Sequence, residues 1–494
     1  MVEDKELKRG LSLGMTIFII IGIVIGSSIW VSPAAYLNRT GPAVFLAYMI
    51  AVIPAIFVAY ICAYLGSALP VAGGTYVLNS RISGKFLGFM TTWLLILAVG
   101  AALAFLGSAF GLFLAEIFLI PADFQLIFVI IIGILVLVAF FFLNLIHIEI
   151  SGLIEMIITI VGDVAVMIIF IIAAIPHFNA ANLDPLFPPE IGFGPVLTAS
   201  LTFFFSYVGF TLVLDIAGEV KNPRKYIPLA LIISIPTLMI LYTVQSLMVA
   251  GLQPWDQPVE TVTQIILNSG ILPSGVVIVI TVLIAIAIAS TIHPTFLAYS
   301  RDILMAGRDE LFPKKFAKVH EKYKTPVSAL MVLLAVGIIF LLIFIPLLGP
   351  EIGIGTTGVL LSAVTAVCVL IIQIPICISA ILLNKKYPDL HENAGFKPSN
   401  RNIKIMGVIG AIISFVFVLL LFFDPDAGLI VSLVVFPYLG IGVIVYLVRV
   451  FMLKRKGIDI EERLKDFPEE VSFEEEPPIS KVEKLAREKK ERES

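Results

Sequence analysis

A succession of apolar segments, each long enough to cross a lipid bilayer, leaves this chain few folds to choose from. Crossing the hydrocarbon takes about 20 consecutive apolar residues in a helix. About twelve such segments can be counted, at roughly 12–37, 41–70, 86–115, 125–146, 149–176, 190–216, 226–250, 272–303, 325–347, 352–383, 403–423 and 428–452. Lipid offers backbone groups no water to bond, so helices are the natural solution. The expectation is an all-α polytopic membrane protein with lipid as its surroundings. The chain is 59% hydrophobic and 14% charged over 494 residues, whereas a soluble domain carries roughly a quarter charged residues. The net charge of −3 gives no reason to expect a nucleic-acid partner. Cys62, Cys368 and Cys377 lie in apolar segments, with neither metal nor disulfide spacing. The charged start, Met1 to Arg9, leads into an apolar run too long for a cleavable leader.

Two segments are interrupted. Segment one holds Gly22-Ile23-Val24-Ile25-Gly26-Ser27-Ser28-Ile29-Trp30-Val31-Ser32-Pro33, and segment six holds Phe204-Phe205-Ser206-Tyr207-Val208-Gly209-Phe210-Thr211. Irregular backbone at membrane depth survives only against protein or a polar cavity, so paired discontinuities point to a binding site. Where a helix restarts, free N–H groups carry partial positive charge. Gly26, Ser27, Ser28 and Ile29 are placed to offer such groups to a carboxylate. The half-helix before them leaves carbonyls suited to an ammonium group or a metal ion. Donors at one end and acceptors at the other match a zwitterion, and an α-amino acid is the obvious candidate. A plain Gly/Ser packing face is the competing reading.

Basic residues separate by loop. With Lys5, Lys8 and Arg9 on the cytoplasmic side, so are Arg81, Lys85, Lys221, Arg224, Lys225, the run from Arg301 to Lys324, and Lys385 to Lys404. The opposite loops carry acids, with Arg39 their one basic residue. This bias predicts both termini in the cytoplasm of a cell-membrane protein. His147 and Glu149 fall near the inner surface. The expected organisation is a cytoplasmic start (1–11), five helices (12–176), a second, inverted set of five (190–383), two further helices (403–453) and a charged cytoplasmic tail (454–494). Five crossings per half make the halves opposite in topology.

The same residues resemble a known family. The first interruption is similar to the G-S-G-I-F signature of the amino acid–polyamine–organocation superfamily, and Phe205 to Phe210 to its sixth-helix break. Ala217-Gly218-Glu219-Val220-Lys221-Asn222-Pro223-Arg224-Lys225-Tyr226-Ile227-Pro228 is close to its A-E-E-V-K-N-P-R-R-x-I-P stretch, and Ser300-Arg301-Asp302 with Ala306 to Pro313 and Lys324 to Val327 resembles its loop between helices eight and nine. The resemblance implies a leucine-transporter-like fold of two inverted five-helix repeats plus two helices, and an amino acid permease. It implies a substrate carboxylate near Ser27 and Ser28, and an ammonium near the carbonyls of Val24, Phe205 and Val208. Phe205, Ser206, Tyr207, Val208 and Gly209 would then form the sixth-helix part of the pocket, with Phe205 and Tyr207 shaping or gating it. Thr211 stands where several members carry a glutamate, so a role resting on that acid does not transfer.

Coupling has two readings. Ala287, Ser290 and Thr291 share one helical face. In sodium-coupled relatives this spacing binds Na⁺ together with first-helix carbonyls, here Gly22 and Ile25. The alternative is that both hydroxyls bond back to their own helix. Members without sodium often carry a lysine in helix five; the matching position here is Gly162, followed by Asp163. An acid inside a membrane segment is rare and functional by default. Glu155, Thr159 and Asp163 repeat every four residues, so Asp163 is placed to complete a cation site or to carry a proton. Glu219, with Lys221 and Arg224, is placed to gate the inner end of segment six. Na⁺ is favoured over H⁺ as the coupling ion, and no cofactor is expected.

A channel would need a selectivity filter or charge ring, and an intramembrane enzyme a catalytic motif; neither pattern occurs in the sequence. The expected function is cation-coupled import of an amino acid, more fitting for a neutral one. An uncoupled exchanger or a substrate sensor that no longer transports are the alternatives.

Overall fold

The computed structural model describes residues 10–467 apart from 72, 146–151, 258, 321–324 and 466. Lys5, Lys8, Arg9, His147, Glu149, Lys324 and the tail beyond 467 lie outside the described residues. Among the described residues there is no strand, and twelve helical spans are long and apolar enough to cross a membrane: Leu13–Ala35, Leu37–Ala68, Lys85–Ile117, Ala122–Leu145, Leu153–His177, Gly194–Leu214, Pro223–Leu252, Ser274–Arg308, Val327–Ile352, Ile354–Lys386, Asn400–Phe422 and Gly428–Arg455. They are called spans 1 to 12 below. The protein is a multi-pass, all-α membrane protein. A short helix, Val262–Ser269, between spans 7 and 8 had no counterpart in the apolar pattern, being too short to register there.

Burial sorts the spans. In span 3, 94% of the most apolar stretch is buried, against 22% in span 12. Span 3 is therefore the central post, while span 12 turns Leu429, Leu433, Ile444 and Phe451 outward. Apolar side chains on that outer surface suit hydrocarbon rather than water.

Both interruptions fall where glycine and proline put them. Span 1 is helical over Leu13–Ile25, breaks at Gly26, and resumes over Ser28–Ala35. Gly26 has φ +43°, in the region that favours glycine. Span 6 is α-helical over Gly194–Phe203, tightens to a 3₁₀ turn over Phe204–Tyr207, and breaks at Val208 and Gly209. Gly209 has φ +115°, and a Cβ there would come within 2.7 Å of Ile23 Cγ2. The break in span 6 thus closes directly onto the last turn of the first half of span 1.

Leu11, Glu461 and Arg463, near the ends of the described chain, lie on one face with Lys85 and Arg301; this is called the basic face. Its opposite carries Glu116, Asp256, Glu260 and Asp424 and is called the acidic face.

Candidate functional site

An interrupted helix leaves carbonyls without their i+4 amides, and this structure supplies substitutes from neighbouring spans. Gly22 O accepts from Thr291 Oγ1 of span 8 at 3.3 Å, and Val24 O from the Tyr242 hydroxyl of span 7 at 3.1 Å. Pro33 lacks the N–H that would reach Ile29 O. Gln245 Nε2 donates to that carbonyl instead, at 3.1 Å. The two breaks are joined directly, because Ser28 Oγ lies 2.6 Å from Ser206 Oγ and 3.0 Å from Ser32 Oγ.

A cavity of about 50 Å³ lies between these breaks. Of the residues named above for the substrate, Val24, Gly26, Phe205, Val208 and Gly209 line it. Ser27, Ser28, Ile29, Ser206 and Tyr207 do not. Ser28 and Ser206 are spent on each other. Tyr207 turns away, donating its hydroxyl to Tyr48 O at 3.0 Å. Tyr207 thus stands outside this lining, and Val24 O already has a donor in Tyr242. Phe205 remains at the cavity, edge-on to Phe105 with ring centres 5.5 Å apart.

The opposite wall comes from spans 3, 8 and 10. Leu95, Ala98, Val99, Ala102 and Leu106 form one stripe of span 3, Thr295 and Tyr299 continue the face of Thr291, and Thr365 and Val369 complete the wall. Sequence reading missed these residues. Their three- and four-residue spacing was the available signal, but every apolar helix has such stripes. No acid or base lines the cavity, and the hydroxyls of Thr295 and Thr365 already donate to carbonyls, Thr291 O at 2.7 Å and Ala98 O at 2.8 Å.

Four of the five groups suggested for Na⁺ come together beside the cavity. Ser290 Oγ and Thr291 Oγ1 both donate to Ala287 O, at 2.9 and 3.0 Å, and Thr291 also reaches Gly22 O. Ile25 is fully buried. Span 5 packs against it from the side. A Cβ on Gly22 would collide with Thr159 Oγ1 at 2.2 Å, and one on Gly162 would lie 3.2 Å from Ala287 Cβ. Within span 5, the buried Glu155 Oε1, Thr159 Oγ1 and Asp163 Oδ1 all lack a hydrogen-bond partner among the described residues, and a π-helical turn runs over Thr159–Ala165. Oxygen atoms of this kind suit a hard cation. His293, also in span 8, is buried with Nδ1 unpartnered.

Both faces are fastened. On the basic face Glu219 pairs with Arg301 of span 8, and not with Lys221 or Arg224, which are exposed. Lys221 and Arg224 lie outside the packed end of span 6, whereas Arg301 faces it. The same turn pairs Leu11 with Val220 in a parallel bridge. On the acidic face Thr261 donates to Glu116 at 2.6 Å and Gly355 N to Glu260 at 3.0 Å. Burial pushes the Glu260 carboxyl above the usual range, against the pull of that amide.

A family model described as amino acid permease matches residues 11–447. The chain is similar to a methylthioribose transporter of Bacillus subtilis (strain 168), 26% identical over 417 residues, covering 78% of this chain and 84% of the relative. It is also similar to a branched-chain amino acid permease of that organism, 26% identical, covering 78% and 83%. A serine/threonine exchanger from the same source is 26% identical, covering 70% of this chain and 79% of its own.

Proposed function

The chain belongs to the amino acid permease family, and from that premise we propose that it imports a neutral amino acid across the cytoplasmic membrane by alternating access. The observation that carries this reading is the small cavity between two interrupted spans, lined by apolar side chains and threonine or tyrosine hydroxyls, with no charged group. A buried charge without a partner is costly, so a cationic or anionic substrate side chain has no place there. Likeness to a branched-chain amino acid permease supports an apolar substrate. The basic face is the cytoplasmic one in this reading, with the two interrupted spans heading two inverted five-span repeats.

The coupling ion is Na⁺, held by oxygens of Gly22, Ile25, Ala287, Ser290 and Thr291 with Asp163 as the nearby counter-charge. Unpartnered Asp163 Oδ1 supports a second form, in which that carboxyl carries a proton. Likeness to an exchanger supports a third, exchange without an ion. Radiolabelled uptake into proteoliposomes, with Na⁺ and proton gradients imposed separately, tests all three. Accumulation that follows inward Na⁺ supports the main reading. Accumulation that follows protons and ignores Na⁺ moves Asp163 to proton carrier. Counterflow with neither gradient leaves exchange.

A further inference from the structure

Where the segment between spans 2 and 3 meets the ends of spans 6 and 8 on the basic face, four carboxylates crowd two guanidiniums. Arg301 pairs with Glu219, and Arg81 holds Asp309 through both terminal nitrogens, helped by the Tyr76 hydroxyl at 2.6 Å. Asp215 and Asp302 are left over. Both are 0% exposed, and among the described residues neither has a basic side chain bonded to it. They accept from neighbouring amides of one turn: Thr75 N donates to Asp215 Oδ1 at 2.7 Å, and Tyr76 N to Asp302 Oδ1 at 3.0 Å. Thr75 Oγ1 reaches the second oxygen of Asp215 at 3.1 Å. The second oxygen of Asp302 has no hydrogen-bond partner among the described residues.

Adjacent amides hold the two carboxylates, one just past the end of span 6 and one on span 8, near enough for their charges to repel. Two ionised carboxylates sharing a site out of water cannot both be sustained without a counter-charge. Among the described titratable groups around them, Cys62, Tyr76 and Tyr299 bring no positive charge, and the Arg301 guanidinium attracts both carboxylates only from a distance while its hydrogen bond goes to Glu219. Burial likewise lifts the Asp215 carboxyl above its ordinary range.

We propose that Asp215 and Asp302 form a proton-binding site that holds one shared proton while the basic face is closed and releases it to water when that face opens. A proton on Asp302 Oδ2, which has no partner among the described residues, removes the repulsion between the two carboxylates. No other bond changes; the proton comes from the aqueous phase and returns to it. Acid on the basic side therefore holds the closure and alkali loosens it, whatever the ion that drives uptake.

The test is hydrogen–deuterium exchange of the full chain in lipid nanodiscs between pH 5.5 and 8.5, following peptides that cover 73–83 and dividing out the chemical exchange rate. One linked proton makes the opening constant rise about tenfold per pH unit while the pair is losing it. Asp302→Asn keeps the acceptor for Tyr76 N and removes the like charge, so it should hold exchange at the low-pH level throughout. Asp215→Asn should do the same and stands in if the first variant does not elute as folded protein. A wild type with no such slope, or both variants keeping the wild-type slope, overturns the proposal. So does restoration of low-pH protection at pH 8.5 by Na⁺ or K⁺, which would make the ligand a metal cation.

Discussion

Ser28 and Ser206 stand 178 residues apart in the chain, yet their hydroxyls meet at 2.6 Å and tie the break of span 1 to the break of span 6. Both are buried. Removing one leaves the other short of a partner, which costs about 1–3 kcal/mol for a buried polar group. Ser28→Ala and Ser206→Ala should each lower the melting temperature in detergent. The double variant should lose less than the sum, with a coupling of at least about 0.5 kcal/mol. Additive losses would show that the hydroxyls do not act together.

Proline and glutamine make a second, more specific pair. Gln245→Leu should destabilise by about 1–3 kcal/mol, because Ile29 O loses its donor in the interior. Pro33→Ala returns an N–H within reach of that carbonyl. The combined variant should recover part of the loss in thermal unfolding. No recovery would mean that Gln245 matters for some other reason.

Gly209→Ala places a Cβ 2.7 Å from Ile23 Cγ2 at a residue with φ +115°. Backbone strain of this kind costs about 1–3 kcal/mol, and uptake should fall with it. Gly14→Ala is the matched control, since a Cβ there meets nothing within 4 Å; it should be neutral or stabilising by up to about 1 kcal/mol. Equal behaviour of the two would contradict the close approach of the breaks.

The positions of these breaks were legible in the sequence, because glycine and proline act on backbone geometry wherever they sit. The twelve spans were legible from apolar length alone. Side-chain direction was not. Tyr207 lies in the sixth-span motif but turns to Tyr48 O, a choice made by the packing of spans 2 and 7 around it. Glu219 meets its partner Arg301 82 residues further along the chain, a distance that no local pattern marks. Likewise nothing local marks Asp215 and Asp302 as neighbours, since each meets the other through a third segment.

Asp163 tests the ion site. Asp163→Asn and Thr291→Val should each weaken activation of uptake by Na⁺ about 10- to 100-fold, the scale for losing a supporting group at a metal site. Unchanged Na⁺ dependence in both, with folded protein, would remove span 5 and the Ala287 knot from coupling.

Glu260 gives a pH dependence. Burial raises its folded-state pKa above the unfolded value. A raised acid contributes stability that is complete below the unfolded pKa, near 4.5, and is lost as pH rises through the folded pKa. Glu260→Gln keeps an acceptor for Gly355 N and does not titrate. Its melting temperature relative to wild type should therefore climb from pH 4 upward. A difference that is flat with pH, or that shrinks, would contradict the assignment.

The central claim is that the uncharged cavity between the two breaks is the amino acid site. Its most direct test is equilibrium binding of radiolabelled leucine to the purified protein, with unlabelled neutral, basic and acidic amino acids as competitors. The account predicts saturable binding displaced by isoleucine and valine, not displaced by lysine or glutamate, and lost when Ala102→Phe fills the cavity. Displacement by lysine as good as by valine, or full binding in the filled variant, would contradict it.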